Sequence, residues 1–291
     1  MTIPLFPSIE YFTPELGYLV RERLNLENQL RGAVARGEIQ VYYQPEIDIS
    51  SNRLIRFEAL ARWIHPTLGM IPPDKFIPVA EESGLIVSLG AYILETACTE
   101  ALKWQANAPY PIQLAVNVSS IQFKRDCFVE EVTSILSHTG LQPELLQLEL
   151  TESIMLSGVH RAAETMKRLR ALGVSLAIDD FGTGYSCLSY LPTLPFDALK
   201  IDRSFVKELD SKPESRAMVH SLVALAHNIG MRVIVEGVER PEQLELIRKF
   251  GGDEIQGYLI GRPTPDPALQ LSSLARAASP HEVAPNPTIT T

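Results

Sequence analysis

Short apolar runs alternate with amphipathic stretches along most of this chain, and this alternation constrains the fold more than any other feature. Helical spacing of apolar residues predicts helices at about 86–106, 127–139, 157–172, 213–229 and 241–250. The apolar runs of strand length read VYYQPEIDI, LIRFEALARW, IQLAVNV, LLQLEL, VSLAID, ALKID, RVIVEG and DEIQGY. Strands that alternate with helices are joined by crossover connections and form a parallel sheet, so the sequence predicts an α/β fold.

The first two apolar runs are an exception to this pattern. They cover 41–49 and 53–64, and only residues 50–52 separate them. A parallel connection needs about a dozen residues, whereas a hairpin needs only a few. We therefore expect one antiparallel pair in an otherwise parallel sheet. The length of 291 residues suits a single α/β barrel, since such barrels occupy about 250 residues.

The two ends of the chain differ from this regular middle. Residues 1–20 contain three prolines and predict an irregular lead-in, and the apolar spacing that follows predicts a helix over 21–37 that ends at Gly37. The Ser/Pro/Thr-rich stretch from Ala277 predicts disorder. We expect three segments: a lead-in and the start of a connector helix at 1–25, the barrel at 26–265, and a terminal helix with a disordered tail at 266–291.

Charge and cysteine content exclude several classes of protein. The formal charge is −9, which argues against a protein that binds long nucleic acid but leaves room for a small anionic ligand. The longest uncharged run, Trp104–Phe123, is broken by prolines and amides, so we expect no membrane segment, and no signal peptide is apparent. Three distant cysteines without a CxxC pair suggest a reducing, cytoplasmic setting.

Oxygen-bearing side chains stand at or near the ends of several apolar runs. In a parallel barrel these positions meet at the carboxyl face, where active sites of that fold lie. Carboxylate and amide oxygens without His or Cys suit magnesium, manganese or calcium, and a cluster of this size can hold two ions. Two such ions can hydrolyse phosphodiesters by an in-line displacement. The candidate metal ligands are Glu58, Asn117, Glu149, Asp179 and Asp180.

Simpler explanations of these charges remain open at the level of sequence. The acids could form independent salt bridges at strand ends. Lys200 could balance charge, or it could orient an attacking water or neutralise a phosphate. Glu236 could accept a proton, or it could only be a partner for Lys200.

A series of motifs gives a more specific interpretation. Glu58-Ala59-Leu60 is followed by Ala61-Arg62-Trp63. The other motifs are YQP (43–45), FIPVAEESGLI (76–86), NVSSIQF (117–123), ELTES (149–153), DDFGTGYS (179–186), LKID (199–202), EGVE (236–239) and QGY (256–258). In this order, from about residue 26 to 265, the chain resembles the EAL-domain phosphodiesterase family of bacterial second-messenger signalling. That family hydrolyses cyclic di-GMP to linear pGpG.

The resemblance implies a modified TIM (β/α)8-type barrel with one antiparallel strand, a homodimer and two Mg²⁺ or Mn²⁺ ions. Inhibition by Ca²⁺ is expected because its longer, looser coordination suits a two-ion displacement poorly. The helix over 21–37 resembles a connector from an upstream sensory or cyclase-like domain in the full-length protein. Glu58, Asn117, Glu149 and Asp179 would hold one ion, with Asp179 bridging to a second ion on Asp180. Departures from the common family pattern, at Cys187, Val235 and Gly252, remove no ligand.

The same resemblance implies roles for the remaining site residues. Lys200 and Glu236 would position and activate the attacking water, and Gln256 would order that site. Glu152 would tether the loop 179–186, which in this family leads to the dimer interface. The expected substrate contacts are Gln44, Arg62 on phosphate and Asp202 on guanine.

Two other functions are compatible with parts of the sequence, and three isolated motifs resemble those of other proteins. A cyclic di-GMP receptor that does not cleave its ligand is the first alternative, and a barrel enzyme that uses Lys200 as a Schiff-base amine is the second. Gly182-Thr183-Gly184 lacks the third glycine of a dinucleotide fingerprint. Gly251-Gly252-Asp253-Glu254, a cyclase-like signature, lies in the predicted last strand, and His65 is expected to be structural.

Overall fold

A computed structural model of the chain describes residues 14–182, 190–268 and 270–271. The helices are α1 (Pro14–Leu30), α2 (Pro73–Glu82), α3 (Ile86–Gln105), α4 (Ser120–Phe123), α5 (Phe128–Thr139), α6 (Val159–Ala171), α7 (Arg203–Val206), α8 (Pro213–Asn228) and α9 (Pro241–Phe250). The strands are β1 (Ile39–Asp48), β2 (Leu54–His65), β3 (Gly69–Ile71), β4 (Gln113–Val118), β5 (Leu146–Thr151), β6 (Ser175–Phe181), β7 (Ala198–Ile201), β8 (Arg232–Val235) and β9 (Glu254–Gln256).

The strands form one closed barrel in the order β1-β9-β8-β7-β6-β5-β4-β2, and pairing of β1 with β2 closes it. Strands β2 and β4 to β9 pair in parallel, whereas β1 runs antiparallel to both of its neighbours, β2 and β9. The short strand β3 adds to the edge of β2. This topology confirms the prediction of a modified (β/α)8-type barrel with one antiparallel strand.

The large hydrophobic core lies between the barrel and the surrounding helices. Inside the barrel the apolar packing is much smaller, and one cluster consists of Ala177, Ala198 and Ile234. In each case a charged residue follows two positions later, within the strand or directly after it. These charged residues are Asp179, Lys200 and Glu236, respectively. Because alternate residues of a strand face the same side, the charged side chains lie directly above the small apolar ones.

Local sequence signals explain how the helices begin and end. Pro73, Pro213 and Pro241 each start a helix, where the missing N–H and the fixed φ of proline cost nothing. Helix α5 ends at Gly140, whose φ of 80° is the left-handed conformation that favours glycine. The helices predicted after residue 85 agree with the observed ones to within about two residues at each end.

The prediction for the amino-terminal helix was wrong at both ends. The helix begins at Pro14 within the segment expected to be irregular, because a proline is compatible with the first turn of a helix. It ends at Leu30, and residues 31–37 form turns in which Gly32 adopts a φ of 79°. The Arg36 guanidinium donates to the carbonyl of Gln29 near this helix end. Sequence analysis also missed the short strand β3 and helix α2.

Several expectations concern residues that the structure does not describe. These are Cys187, the end of the 179–186 motif, and the tail from Ala277. The three predicted segment boundaries stay predictions. None of the helices among the described residues has both the length and the hydropathy needed to cross a membrane.

Candidate active site

Strand register brings the predicted site residues together at the carboxyl end of the barrel. Gln44 of β1 pairs with Glu58 of β2, and Asn117 of β4 pairs with Glu149 of β5. Asp179 of β6 stands opposite the last residue of β5. Residues from distant parts of the sequence therefore lie side by side, because the register of adjacent strands places them at the same height.

The ammonium group of Lys200 lies at the centre of this cluster. Its Nζ atom is 2.7 Å from Oε2 of Glu149 and 2.7 Å from Oε1 of Glu236. Oδ1 of Asp179 and Oε1 of Glu58 lie at 3.6 Å and 3.7 Å. The Lys200 side chain is 1% exposed. One buried positive charge therefore stands among four carboxylates.

Burial and mutual repulsion shift the pKa values of this cluster. Burial raises the pKa of Glu149 well above its usual value, and the Lys200 charge only partly opposes this. Burial likewise raises the pKa of Glu236 to about 8 against the lowering effect of Lys200. For Lys200, burial lowers the pKa, but the surrounding carboxylates outweigh it and raise the value well above normal. A lysine held in its charged form is a poor nucleophile, which argues against a Schiff-base enzyme.

Glu58 is held by a set of amide side chains. Nδ2 of Asn117 donates to Oε1 of Glu58 at 2.6 Å, and Nε2 of Gln256 donates to Oε2 at 2.6 Å. The Gln256 amide also lies 3.3 Å from Oε1 of Gln44, whose own amide donates to the carbonyl of Gly261. Burial tends to raise the pKa of Glu58, but Lys200 and these hydrogen bonds outweigh it and lower the pKa. Both oxygens of this carboxylate therefore have fixed directions.

The pair Asp179–Asp180 forms a sharp bend at the end of β6. Asp180 adopts a φ of 53°, which is uncommon for a residue other than glycine, and its N–H donates to Oδ1 of Asp179 at 2.9 Å. Partial burial and the neighbouring Asp179 charge raise the pKa of Asp180 to about 6. Just beyond, Oε1 of the buried Glu152 accepts the N–H of Gly182 at 2.9 Å. Glu152 thus holds the first residues of the 179–186 segment.

A cavity of about 380 Å³ opens above the cluster. Its wall includes three of the candidate metal ligands, Glu58, Asp179 and Asp180. It also includes the three residues expected to contact the substrate, Gln44, Arg62 and Asp202. Half-buried Arg62 stands beside Tyr42, with the guanidinium carbon 5.7 Å from the ring centre, and Asp202 accepts the N–H of Ser204 at the start of α7. Every residue named for the site therefore lies at this end of the barrel.

Other residues that line this cavity received no predicted role, and Arg203 and Tyr258 are two of them. Arg203 follows Asp202 directly, and Tyr258 belongs to the QGY motif, two residues after Gln256. The ring of Tyr258 stacks with Arg262, whose guanidinium carbon is 4.1 Å from the ring centre. Adjacency to residues already singled out was the available signal for both.

The donor set of this cluster fits a divalent cation by its chemistry. Its side chains offer carboxylate and amide oxygens, which are the donors that magnesium and manganese prefer. Oε1 of Glu149 is buried and has no hydrogen-bond partner, so it can accept a further interaction. In the part of the chain that the structure describes, no group of three or more His, Cys, Asp or Glu side chains is already arranged around one point as metal ligands are. The carboxylates are turned towards Lys200 instead.

Comparison with known families decides the classification. The family model described as "EAL domain" matches residues 27–263 of the chain. The chain belongs to the EAL domain family. A solved structure, the PaMucR phosphodiesterase in complex with c-di-GMP, is 39% identical with a TM-score of 0.80. This likeness covers 84% of the chain and 99% of that structure.

Named relatives of this EAL domain are longer proteins. An uncharacterized protein y4lL of Sinorhizobium fredii is 46% identical over 94% of the chain and 32% of the relative. The cyclic di-GMP phosphodiesterase NbdA of Pseudomonas aeruginosa is 37% identical over 90% of the chain and 34% of the relative. The chain thus spans about a third of the length of these relatives.

The remaining sequence motifs have structural roles in this EAL domain. In the GGDE segment, Oδ2 of Asp253 accepts the N–H of Val233 at 2.7 Å, and Glu254 forms ion pairs inside the barrel. Nδ1 of His65 accepts the N–H of Leu68 at 3.2 Å, as a turn-forming histidine does. Neither motif contributes to the lining of the cavity above Lys200.

Proposed function

We propose that this chain is a metal-dependent phosphodiesterase that opens cyclic di-GMP to linear pGpG. The observation that carries the proposal is the buried cluster of four carboxylates around Lys200, directly beneath a cavity whose wall contains Arg62. A structural relative with this fold, the PaMucR phosphodiesterase, was solved as a c-di-GMP complex, and NbdA is a cyclic di-GMP phosphodiesterase. Together these findings favour hydrolysis of a cyclic dinucleotide.

The charge balance of the cluster supports a requirement for divalent cations. Lys200 cannot neutralise four carboxylates with one positive charge, and burial makes the remaining negative charge unfavourable. Two Mg²⁺ or Mn²⁺ ions would supply the missing positive charge, activate water and stabilise the charge that develops on the phosphate. The residues proposed to hold them are Glu58, Asn117, Glu149, Asp179 and Asp180.

Lys200 and Glu236 are proposed to handle the attacking water. Glu236 follows β8, is 19% exposed and lies in the cavity wall. The Lys200 ammonium donates to Oε1 of Glu236 and to Glu149, so it fixes the position of both carboxylates. In this arrangement Glu236 accepts a proton from water at its second oxygen, while Lys200 opposes the build-up of negative charge.

Other residues are proposed to bind and orient the nucleotide. Arg62 contacts a phosphate from the cavity wall, where partial burial strengthens the attraction between opposite charges. Asp202 accepts a hydrogen bond from guanine, and Gln44 contacts the substrate from β1. Gln256 keeps Glu58 oriented, and Glu152 restrains the segment after Asp179.

The setting of the domain is also proposed rather than established. We infer a cytoplasmic homodimer attached to an upstream sensory or cyclase-like domain. The length of the curated relatives, about three times that of the chain, supports additional domains. The resemblance to the EAL family supports the homodimer.

The decisive experiment is incubation with cyclic di-GMP in a series of metals, followed by chromatography of the nucleotides. We expect pGpG with Mg²⁺ or Mn²⁺ and little product with Ca²⁺, whose longer and looser coordination suits this displacement poorly.

A Glu58→Gln variant removes one ligand charge and should abolish turnover. Intact cyclic di-GMP that binds tightly in every metal would instead identify a receptor. Rapid turnover in Ca²⁺ alone, or in the presence of excess chelator, would contradict the metal assignment.

A further inference from the structure

A second buried ion cluster lies deeper in the barrel, away from the cavity. Nη1 of Arg56 is 2.5 Å from Oε2 of Glu46 and 2.7 Å from Oε2 of Glu254, and these three side chains are at most 1% exposed. Nη2 of Arg56 donates to Oε1 of Gln113 at 2.9 Å. We call Glu46, Arg56 and Glu254 the Arg56 cluster. It joins β1, β2 and β9, and none of its members lines the cavity above Lys200.

Each member of the Arg56 cluster stands two residues from a residue of the candidate active site. Glu46 is two residues after Gln44 on β1, Arg56 is two residues before Glu58 on β2, and Glu254 is two residues before Gln256 on β9. Because residues two apart on a strand face the same side, the Arg56 cluster forms the layer directly beneath Gln44, Glu58 and Gln256. The upper layer is itself joined by hydrogen bonds from the Gln256 amide.

Both layers are built from β1, β2 and β9, and β1 lies between the other two strands. It is antiparallel to both neighbours, and its pairing with β2 is irregular between Glu46 and Ile47. At such an irregularity the strand could shift by one residue, and a shift of one residue turns every side chain to the opposite face. Any such shift would separate Glu46 from Arg56 and leave buried charges unpaired, which is strongly unfavourable.

The Arg56 cluster has a charge balance that suits a structural role. Glu254 also pairs with Arg232, which reaches it from the surface. Two arginines thus face two carboxylates, in contrast to the excess of negative charge around Lys200. The lower layer can therefore fix geometry without adding to the charge of the layer above.

We propose that Glu46, Arg56 and Glu254 are positioning residues that fix the register of β1 against β2 and β9, and thereby hold Glu58 in the orientation needed to bind a divalent cation. This inference rests on the proposed function, in which Glu58 is a metal ligand. The residues of the Arg56 cluster touch neither the substrate nor the cation. They act through Gln44 and Gln256, which contact one another and Glu58.

Three variants test whether the Arg56 cluster acts through the register of β1, through its charge, or only by allowing the protein to fold. Glu46→Gln keeps an oxygen that can accept from Arg56, so it should retain the register. Glu46→Leu removes that acceptor and leaves Arg56 with only Glu254 and Gln113. The double variant Glu46→Met with Arg56→Met leaves no unpaired charge, because Glu254 keeps Arg232 as a partner. Apolar replacement of a buried ion pair often preserves folding, so this variant tests positioning in a folded protein.

The readouts are direct Mn²⁺ binding by calorimetry and the Mn²⁺ concentration that gives half-maximal activity. For Glu46→Leu and for the double variant we expect Mn²⁺ affinity to fall by about 10- to 100-fold, as when the outer partners of metal ligands are removed. Their kcat should recover largely at saturating Mn²⁺. Glu46→Gln should bind Mn²⁺ nearly as tightly as the wild type.

The matched control is Val132→Ala, which removes buried volume from α5 on the outside of the barrel. It should lower stability and leave Mn²⁺ affinity unchanged. A folded double variant that binds Mn²⁺ as tightly as the wild type would overturn the positioning role, while the proposed function would stand. A wild-type protein that neither binds Mn²⁺ nor cleaves cyclic di-GMP would remove the proposed function and this inference with it.

Discussion

Nζ of Lys200 lies 2.7 Å from Oε2 of Glu149, and this contact joins β7 to β5 across the interior of the barrel. The same ammonium lies equally close to Glu236. Lys200 is therefore both the internal counter-ion of the acidic cluster and a proposed catalytic group. The two roles can be separated experimentally, because a divalent cation can replace the ammonium as counter-ion of the carboxylates but cannot replace it as a catalytic group.

For Lys200→Met we expect a loss of stability of about 3–5 kcal/mol in chelator, because the buried carboxylates lose their counter-ion. Added Mn²⁺ should restore more stability to this variant than it adds to the wild type, since the carboxylates then bind the cation without competition from the ammonium. Turnover should remain very low at saturating Mn²⁺. The checks are urea unfolding with and without Mn²⁺ and the chromatographic assay. Normal turnover in the metal-loaded variant would show that Lys200 only balances charge.

Glu149→Gln should lower turnover without lowering the stability of the metal-free protein, whereas Lys200→Met should lower both. Burial raises the pKa of Glu149, and its Oε1 has no partner, so the charge is unfavourable for the metal-free fold. We expect the free energy of unfolding in chelator to stay equal or to rise. Turnover should fall by more than about 100-fold, the upper end of what loss of an outer-shell partner costs. A variant that keeps wild-type turnover would remove Glu149 from the proposed ligands.

Arg62→Ala should act mainly on substrate binding. A hydrogen bond to a charged group contributes about 1.5–3 kcal/mol, so we expect KM to rise by about 10- to 100-fold with little change in kcat. Steady-state kinetics with cyclic di-GMP measures both constants. Arg248→Ala, which removes an exposed arginine of α9 that pairs with Glu245 of the same helix, is the control and should leave both unchanged. An unchanged KM in Arg62→Ala would contradict the phosphate contact.

Glu38 should make the free energy of unfolding decrease as the pH falls below about 5.5. Its carboxylate accepts from Arg36 and from the indole of Trp63, and the Arg36 hydrogen bond does most to lower the pKa of Glu38, to about 2. A lowered pKa in the folded state gives stability that is present above the unfolded value of 4.5 and is lost as pH falls towards 2.

The measurement is urea unfolding of the wild type and of Glu38→Gln between pH 7 and pH 3, with tryptophan fluorescence as the signal. The difference in unfolding free energy between the two proteins should be constant above about pH 5.5 and should shrink as the pH falls below that. A difference that stays constant down to pH 3 would show that the charge of Glu38 contributes nothing.

The sequence was sufficient to predict the barrel and the meeting of the proposed site residues at one end of it, because both follow from short-range patterns. Alternation of apolar runs and helices predicts the parallel strands, and a three-residue connection predicts the antiparallel pair. The residues at strand ends then meet because strands of a barrel end together. Lys200 and Glu149 are 51 positions apart, yet both stand at the ends of apolar runs.

The pairing within the Arg56 cluster could not be predicted from such short-range patterns. Arg56 and Glu58 share one face by simple alternation, so a buried arginine beneath the site could be expected. Its partner Glu254 is 198 residues away, and the pairing depends on the register of β1 against both β2 and β9. Likewise the start of α1 was missed because the context, and not proline itself, decides whether Pro14 begins a helix or interrupts one.

The reversed direction of β1 determines how the helix before it reaches the barrel. Ile39, the first residue of β1, pairs with Trp63 near the end of β2, so β1 begins at the rim where the cavity above Lys200 opens. In an all-parallel barrel the first strand would begin at the far end. Helix α1, which packs on α2 through Arg23 and Glu82, is therefore connected at the end of the barrel that carries the Lys200 cluster. The chain that leaves α1 enters the barrel through the strand that carries Gln44, next to the strand that carries Glu58.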